Sequence, residues 1–125
     1  MRLRIITGSL LLILLASLIL QAQAKDEPAE LKQDEVKISD ILENGTAYHG
    51  KMVVVEGKIE LECGAGCWFV LNDGTGSIYV DILPNSFAIP QKSGEDARVY
   101  GEVTLKNGEP QIIGKMVFIG GEVYQ

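Results

Sequence analysis

The sequence predicts an all-β domain, a small five-stranded Greek-key barrel preceded by a short N-terminal helix. Apolar and polar residues alternate over several stretches, which is typical of half-buried strands. Turn-forming pairs interrupt the alternation, above all Asn107-Gly108, because both residues readily adopt positive φ. Three strands precede a connector that contains Pro84 and Pro90, and two strands follow it.

The first 24 residues have the three parts of an export signal. Residues 1–4 are basic, residues 5–20 are almost wholly apolar, and Ala22-Gln23-Ala24 is a small-x-small cleavage site. We expect cleavage before Lys25, a periplasmic or secreted product, and no membrane association afterwards. The alternative is an uncleaved anchor, because the apolar run is only slightly shorter than a membrane-spanning helix.

The charge balance limits the partners. The chain has 11 Lys and Arg against 17 Asp and Glu. Arg2 and Arg4 lie in the export segment, which contains no acid, so the rest of the chain carries a net charge of about −8. Nucleic-acid binding normally depends on basic residues that neutralise phosphates. The acidic surplus therefore disfavours it, and the remaining length suits one domain with its own core.

Two short segments precede the strands. Residues 25–35 are highly charged and contain one large apolar residue, Leu31, so we expect a disordered tether. Residues 36–125 form the predicted domain. It begins with a short helix that has Ser39 as its N-cap, Asp40 in its first turn and Gly45 as its stop signal.

The first and longest predicted strand is Met52–Glu62. Its alternation gives an inner face formed by the odd-numbered positions Val53, Val55, Gly57, Ile59 and Leu61. A glycine at position 57 indicates a bend or bulge, which lets one long strand serve two sides of a barrel.

Four further strands are predicted at about residues 68–72, 77–82, 97–105 and 111–119. The turn Asp73-Gly74-Thr75-Gly76 joins the second and third strands, and the pair Asn107-Gly108 joins the last two. A three-strand meander, a connector and a hairpin give the strand order of the OB-fold, a partly open Greek-key barrel.

The chain also resembles known sequences. Residues 38–42 (ISDIL), 48–59 (YHGKMVVVEGKI) and 71–78 (LNDGTGSI) are similar to bacterial OB-fold domains related to the tRNA-anticodon-binding type. Residues 63–68 (CGAGCW) resemble an uncharacterised exported OB-fold family with a Cys-x-x-Gly-Cys-Trp signature. The resemblance covers about residues 36–119 and implies the fold. It implies little about activity, because OB-folds bind oligonucleotides, oligosaccharides and proteins alike.

Cys63 and Cys67 flank the glycine-rich loop Gly64-Ala65-Gly66. By the alternation, each cysteine continues the inner face of its strand, so the two face each other and close a three-residue loop. Cross-strand Cα separations fit a disulfide, and export favours thiol pairing. We therefore expect a disulfide and no cofactor.

An alternative interpretation is a copper-binding or thiol-redox protein. Cys63 and Cys67 would bind a soft ion such as copper(I), with His49, Met52 or Met116 as further ligands. Structural zinc usually requires four ligands, and the chain has a single histidine. Thioredoxin-type motifs separate their cysteines by two residues, whereas here three intervene.

An outward aromatic face is the predicted ligand site. If Phe69 and Leu71 fill the barrel, then Trp68, Tyr79 and Asp81 point outward on the second and third strands, the face that OB-folds use for ligands. The ligand-binding residues predicted for this face are Trp68, Tyr79, Asp81 and Glu60.

Carboxylates around this face predict the class of ligand. Glu56, Glu60, Glu62 and Asp81 outnumber Lys58 on the neighbouring outer positions. Aromatic rings bordered by carboxylates suit a small sugar, a cation or a basic peptide or protein. No catalytic triad or phosphate loop is recognisable, so we expect a non-enzymatic binding module. Single-stranded nucleic-acid binding, by analogy with other OB-folds, is the further alternative.

Overall fold

The computed structural model describes residues 27–125. The predicted export signal, residues 1–24, lies outside the described residues. A 3₁₀ turn at Ala29–Lys32 precedes the helices α1 (Ile38–Glu43) and α2 (Gly45–Tyr48). The strands are β1 (Met52–Glu62), β2 (Trp68–Asn72), β3 (Ser77–Asp81), β4 (Asp96–Lys106), β5 (Glu109–Ile119) and β6 (Glu122–Tyr124), with a second 3₁₀ turn at Leu83–Asn85. Within residues 27–125, no helix is long and apolar enough to cross a membrane.

The strands close into a barrel. Their order is β3-β2-β1-β4-β5-β6, and a parallel pairing of β3 with β5 joins Val80 to Ile112 and Asp81 to Ile113. The first five strands therefore form the predicted OB-fold Greek-key barrel, which is confirmed. β6 is an additional short strand that pairs with the end of β5 after a turn at Gly120 and Gly121. Three residues are too few to produce a recognisable alternation.

Alternate residues of every barrel strand fill the core. Phe69 and Leu71 of β2 and Ile78 and Val80 of β3 are at most 2 % exposed, as the alternation predicted. Ile38 and Ile41 of α1 belong to the same buried cluster. Full burial of a side chain of this size contributes about 1.5–3 kcal/mol, so these repeated contacts provide most of the barrel's stability.

A β-bulge near the end of β1 reverses the predicted faces. Ile59 pairs with Leu71, but the next pairing is Leu61 with Val70. The prediction that Leu61 lies inside is therefore wrong, and its side chain is 61 % exposed. Because side chains alternate with period two, one extra residue moves every later side chain to the other face.

Gly57 has a different role from the predicted bend. The bulge lies after Ile59, whereas Gly57 pairs regularly with Ala97 of β4. A Cβ atom at position 57 would collide with the backbone carbonyl of Asn72. Glycine is therefore needed for the close approach of the β2 end to β1.

The N-terminus of α1 is capped by a distant loop. Lys37 occupies the N-cap position that the sequence assigned to Ser39, and it makes no side-chain cap bond. Instead, Ile38 N–H donates to Asp73 Oδ2 at 2.9 Å and Ser39 N–H donates to Thr75 Oγ1 at 3.1 Å. The turn between β2 and β3 thus satisfies the unpaired N–H groups of the helix, and this attaches α1 to the barrel.

The segment before α1 packs on the barrel, where the sequence predicted a disordered tether. Leu31 is completely buried. The guanidinium of Arg98 on β4 donates to the carbonyls of Leu31 and Gln33 and to the carboxylates of Glu35 and Glu56. One buried side chain and one multiply bonded arginine are enough to order a segment whose composition alone favours disorder.

Candidate functional site

The loop between β1 and β2 holds the two cysteines in contact. Cys63 N–H donates to the carbonyl of Trp68 at 2.9 Å, so Cys63 lies across from Trp68 and not from Cys67. The predicted cross-strand cysteine pair is therefore wrong by one position, as a consequence of the bulge. The sulfur atoms still approach to 2.8 Å across the turn, and both cysteines are partly exposed. The disulfide itself stays a prediction.

The connector between β3 and β4 fixes the shape of this cysteine loop. Gly66 has a φ of +74°, and a Cβ atom there would collide with the carbonyl of Ile89. Gln91 Nε2 donates to the carbonyl of Gly64 at 2.9 Å. The cysteine loop is therefore bonded on its outer side to another part of the chain.

Glu62 anchors the same connector. The sequence placed Glu62 on the outer face, but after the bulge it pairs with the buried Phe69. Its carboxylate accepts the N–H groups of Lys92 and Ser93 at 2.8–3.0 Å. Burial opposes ionisation, but these N–H donors outweigh it and lower the pKa of Glu62.

The two thiols differ in acidity. The hydrogen bond from the Cys67 thiol, together with the backbone N–H groups of Ala65 and Cys67, lowers the pKa of Cys63. The same hydrogen bond, burial and the nearby Cys63 raise the pKa of Cys67. Cys63 is therefore the more acidic of the two thiols, and the thiolate is the reactive form of a cysteine.

Trp68 and Tyr79 form a stacked pair outside the barrel. Their ring centroids are 5.4 Å apart and their planes differ by 25°. Trp68 pairs with Asp81 and Val70 pairs with Tyr79 across β2 and β3, so Trp68, Tyr79 and Asp81 lie together as predicted. Burial, followed by the negative charge of Asp81, raises the pKa of Tyr79. Its hydroxyl stays protonated at neutral pH and is able to donate a hydrogen bond.

Leu61 joins this face, which the sequence analysis missed. Leu61 pairs with Val70, and Val70 pairs with Tyr79, so the three form one row across β1, β2 and β3. Leu83, just after β3, is 66 % exposed, and its N–H donates to Asp81 Oδ1. We call Leu61, Trp68, Val70, Tyr79 and Leu83 the aromatic face. Nothing in the alternation signals the bulge that turns Leu61 outward.

Glu60 is separate from the other predicted ligand-binding residues. Its carboxylate accepts hydrogen bonds from Asn72 Nδ2 and from Ser77 Oγ at 2.9 Å. These residues lie at the far end of β2 and β3 from Trp68, about 13 Å away at the rise of a β-strand. Glu60 therefore lies at the opposite end of β2 and β3 from Trp68 and Asp81.

The possible metal ligands are scattered. His49 is exposed after α2. Met52 lies at the opposite end of β1 from the cysteine loop, and Met116 pairs with Tyr100 on β4. Across residues 27–125, no three His, Cys, Asp or Glu side chains come together to hold a metal ion. The alternative ligand set of Cys63, Cys67 and His49 is thus not assembled by the fold.

A groove adjoins the aromatic face on the side of the β4–β5 hairpin. It has a volume of about 530 Å³ and is lined by Tyr79 and by Lys106, Asn107, Glu109, Pro110 and Gln111. Asn107 and Gly108 have positive φ, so the predicted Asn-Gly turn is confirmed. The aromatic face therefore lies between the β1–β2 loop and the β4–β5 loop, which are the two loops that flank the ligand face of OB-folds.

Comparison with known proteins supports the fold. No family model and no curated protein matches the chain. Among solved structures, that of the hypothetical protein ygiW from E. coli is similar to this chain, with a TM-score of 0.52 and 19% sequence identity. The match covers 70% of this chain and 90% of that chain. A likeness at this identity shows a shared fold and carries no statement about activity.

Proposed function

We propose that this protein is an exported, non-enzymatic OB-fold binding module that holds its ligand on the aromatic face. The observation that carries the proposal is the stacked pair Trp68 and Tyr79 on β2 and β3, with Trp68 partly exposed and Tyr79 exposed, between the two loops that OB-folds use for recognition. Stacking restricts the motion of both rings before a ligand binds. Binding therefore costs less side-chain entropy than it would with freely rotating rings.

The surroundings of the platform support a neutral or basic ligand. Asp81 lies directly across from Trp68, and Glu109 lines the groove beside Tyr79. Together with the overall acidic charge, these carboxylates repel a phosphate chain and attract a cation or a basic peptide. A small sugar also fits aromatic rings beside polar side chains. The test therefore has to include all three classes.

The decisive experiment uses Trp68 as its own probe, because it is the only tryptophan in the sequence. Neutral oligosaccharides, quaternary amines, basic peptides and single-stranded oligonucleotides are titrated while the indole emission is followed. Calorimetry then compares the parent with Trp68→Ala and Tyr79→Ala, and Tyr100→Ala on β4 is the control. We expect the first two variants to lose binding and the control to retain it. Equal binding by all four proteins would contradict the proposal.

A thiol-redox function is the second candidate, favoured by the 2.8 Å separation of the two sulfurs and by their unequal acidity. Copper binding has less support, because no third ligand accompanies the cysteines among the described residues. Intact mass before and after thiol alkylation, on protein taken from its own compartment, separates the candidates. A permanently closed disulfide excludes both, whereas alkylation at Cys63 and Cys67 supports a functional dithiol.

A further inference from the structure

We propose that the aromatic face binds an extended polypeptide segment that carries large apolar side chains flanked by lysine or arginine. The inference rests on the proposed function and narrows its ligand to one class. It comes from the aliphatic part of the face, which only the structure reveals, and from the distribution of carboxylates around it.

The aliphatic residues are the first argument. Leu61 and Leu83 are 61 % and 66 % exposed, the two largest exposures among the large hydrophobic residues of the described chain. Leu61 continues the row of Val70 and Tyr79, so the apolar surface spans three neighbouring strands. Exposed leucines beside aromatic rings gain from covering by another apolar side chain. A sugar ring or a nucleotide would leave this aliphatic part of the surface uncovered.

Charge complementarity is the second argument. Asp81 lies next to Trp68 at one end of the face, and Glu60 lies beside Asn72 and Ser77 at the other end. Glu109 lines the groove beside Tyr79, together with the single base Lys106. Carboxylates therefore flank the apolar row in at least three directions. A peptide segment with an apolar centre and basic residues on both sides would therefore place its lysine or arginine side chains near these carboxylates.

The polar groove is the third argument. Asn107 and Gln111 line it with Glu109, next to the Tyr79 ring. Side-chain amides both donate and accept hydrogen bonds, as the N–H and C=O groups of a peptide backbone do. A chain that crosses the row from Leu61 to Tyr79 enters this groove directly, so its backbone has polar partners where its side chains leave the apolar surface.

The test uses synthetic peptides as defined probes. One peptide alternates lysine and leucine, a second replaces every lysine by glutamate, and a third replaces every leucine by serine. Calorimetry measures their binding to the full mature chain and to Leu61→Ser and Asp81→Asn. Leu42→Ser is the matched control, because Leu42 is also exposed, at 40 %, but lies on α1. The melting temperature of each variant is measured alongside.

We expect the lysine–leucine peptide to bind and the other two peptides to bind at least tenfold more weakly. Leu61→Ser should lower the affinity for the lysine–leucine peptide about tenfold, because burying one leucine side chain on binding raises affinity by roughly a factor of ten or more. Leu42→Ser should leave this affinity unchanged. Failure of the lysine–leucine peptide to bind the parent protein overturns the inference. Equal binding by the two leucine variants also overturns it.

The peptide experiment, combined with the ligand titration of the parent and Trp68→Ala described above, distinguishes this inference from the proposed function. Oligosaccharide binding that needs Trp68 but not Leu61 refutes the polypeptide inference and leaves the binding module intact. Binding of any probe that is unaffected by Trp68→Ala refutes the aromatic face itself, and both proposals then fail together.

Discussion

Cys63 lies directly across the β1–β2 ladder from Trp68, and its N–H donates to the Trp68 carbonyl at 2.9 Å. This register places the cysteine loop and the aromatic face side by side, because the two sulfur atoms and the indole ring are carried by adjoining residues. Any covalent change at the cysteines therefore occurs at the edge of the proposed ligand site.

Oxidation of the thiols should be visible at Trp68. We expect the Cys63–Cys67 disulfide to quench the indole emission, because a disulfide beside an indole ring quenches its fluorescence. The oxidised protein should also be more stable by roughly 2 kcal/mol, the chain-entropy value for a five-residue loop. Urea unfolding of the oxidised and reduced forms measures this, with Cys63→Ser as the control that cannot oxidise internally. Identical emission of the two forms would contradict the prediction.

Gly66→Ala should destabilise the cysteine loop more than Gly74→Ala destabilises its own turn. Both glycines have positive φ, +74° and +87°, so both variants incur the backbone penalty of about 1–2 kcal/mol. Only at position 66 would the added Cβ meet a neighbouring atom, the Ile89 carbonyl. Urea unfolding measures both costs. Equal losses would show that the connector does not hold the loop.

Asp73 should make stability depend on pH in the acidic range. Burial opposes its ionisation, but hydrogen bonds from Ile38, Thr75 and Gly76 outweigh burial and lower its pKa below the ordinary value. The stabilisation is therefore complete above the unfolded-state pKa of about 3.9, and it is lost as pH falls through the lower folded-state pKa. Asp73→Asn should lower stability at pH 7 by about 1–3 kcal/mol and flatten this acid dependence.

The control for Asp73 is Asp96→Asn. Asp96 makes an exposed ion pair with Lys58 at 3.6 Å, and pairs of this kind contribute about 0–1 kcal/mol. Urea unfolding between pH 2 and 7 compares the two variants with the parent. If Asp73→Asn retained the parent's full acid dependence, the capping of α1 by this loop would not be the source of it.

Arg98→Ala should release the segment before α1 without unfolding the barrel. Arg98 bonds to the carbonyls of Leu31 and Gln33 and pairs with Glu27, so its removal leaves Leu31 as the main remaining anchor. We expect faster hydrogen exchange in residues 27–35 and unchanged protection in the barrel strands. Arg98→Lys should restore little of the exchange protection of residues 27–35, because lysine lacks the planar guanidinium with its several N–H donors. Unchanged exchange in this segment would refute the role of Arg98.

Some features followed from local chemistry and were predictable. Alternation identified the core residues Phe69, Leu71, Ile78 and Val80, because burial on one face of a strand requires period two. The pair Asn107-Gly108 identified the β4–β5 turn, because few residues adopt positive φ without strain. The outward positions of Trp68 and Tyr79 followed from the same alternation.

Other features depended on residues that are distant in sequence. Asp73 caps α1 from 35 residues away, and Arg98 orders a segment 67 residues before it. The local sequence pattern predicted Ser39 as the cap and disorder for residues 25–35. Both predictions missed the structure because the groups that bond to these segments, the Asp73 carboxylate and the Arg98 guanidinium, lie far along the chain. The sequence also placed Glu60 with the aromatic pair, whereas the strand register puts it at the other end of β2 and β3.

The sequence by itself determined the strand order, the core and the outward aromatic pair, since each depends on the identity and period of neighbouring residues. Only the tertiary structure decided that Leu61 faces solvent and that Cys63 lies across from Trp68. The physical reason is the bulge between Ile59 and Leu61. The bulge changes which residues of β1 and β2 lie opposite each other, and the alternation within β1 alone does not reveal that change in register.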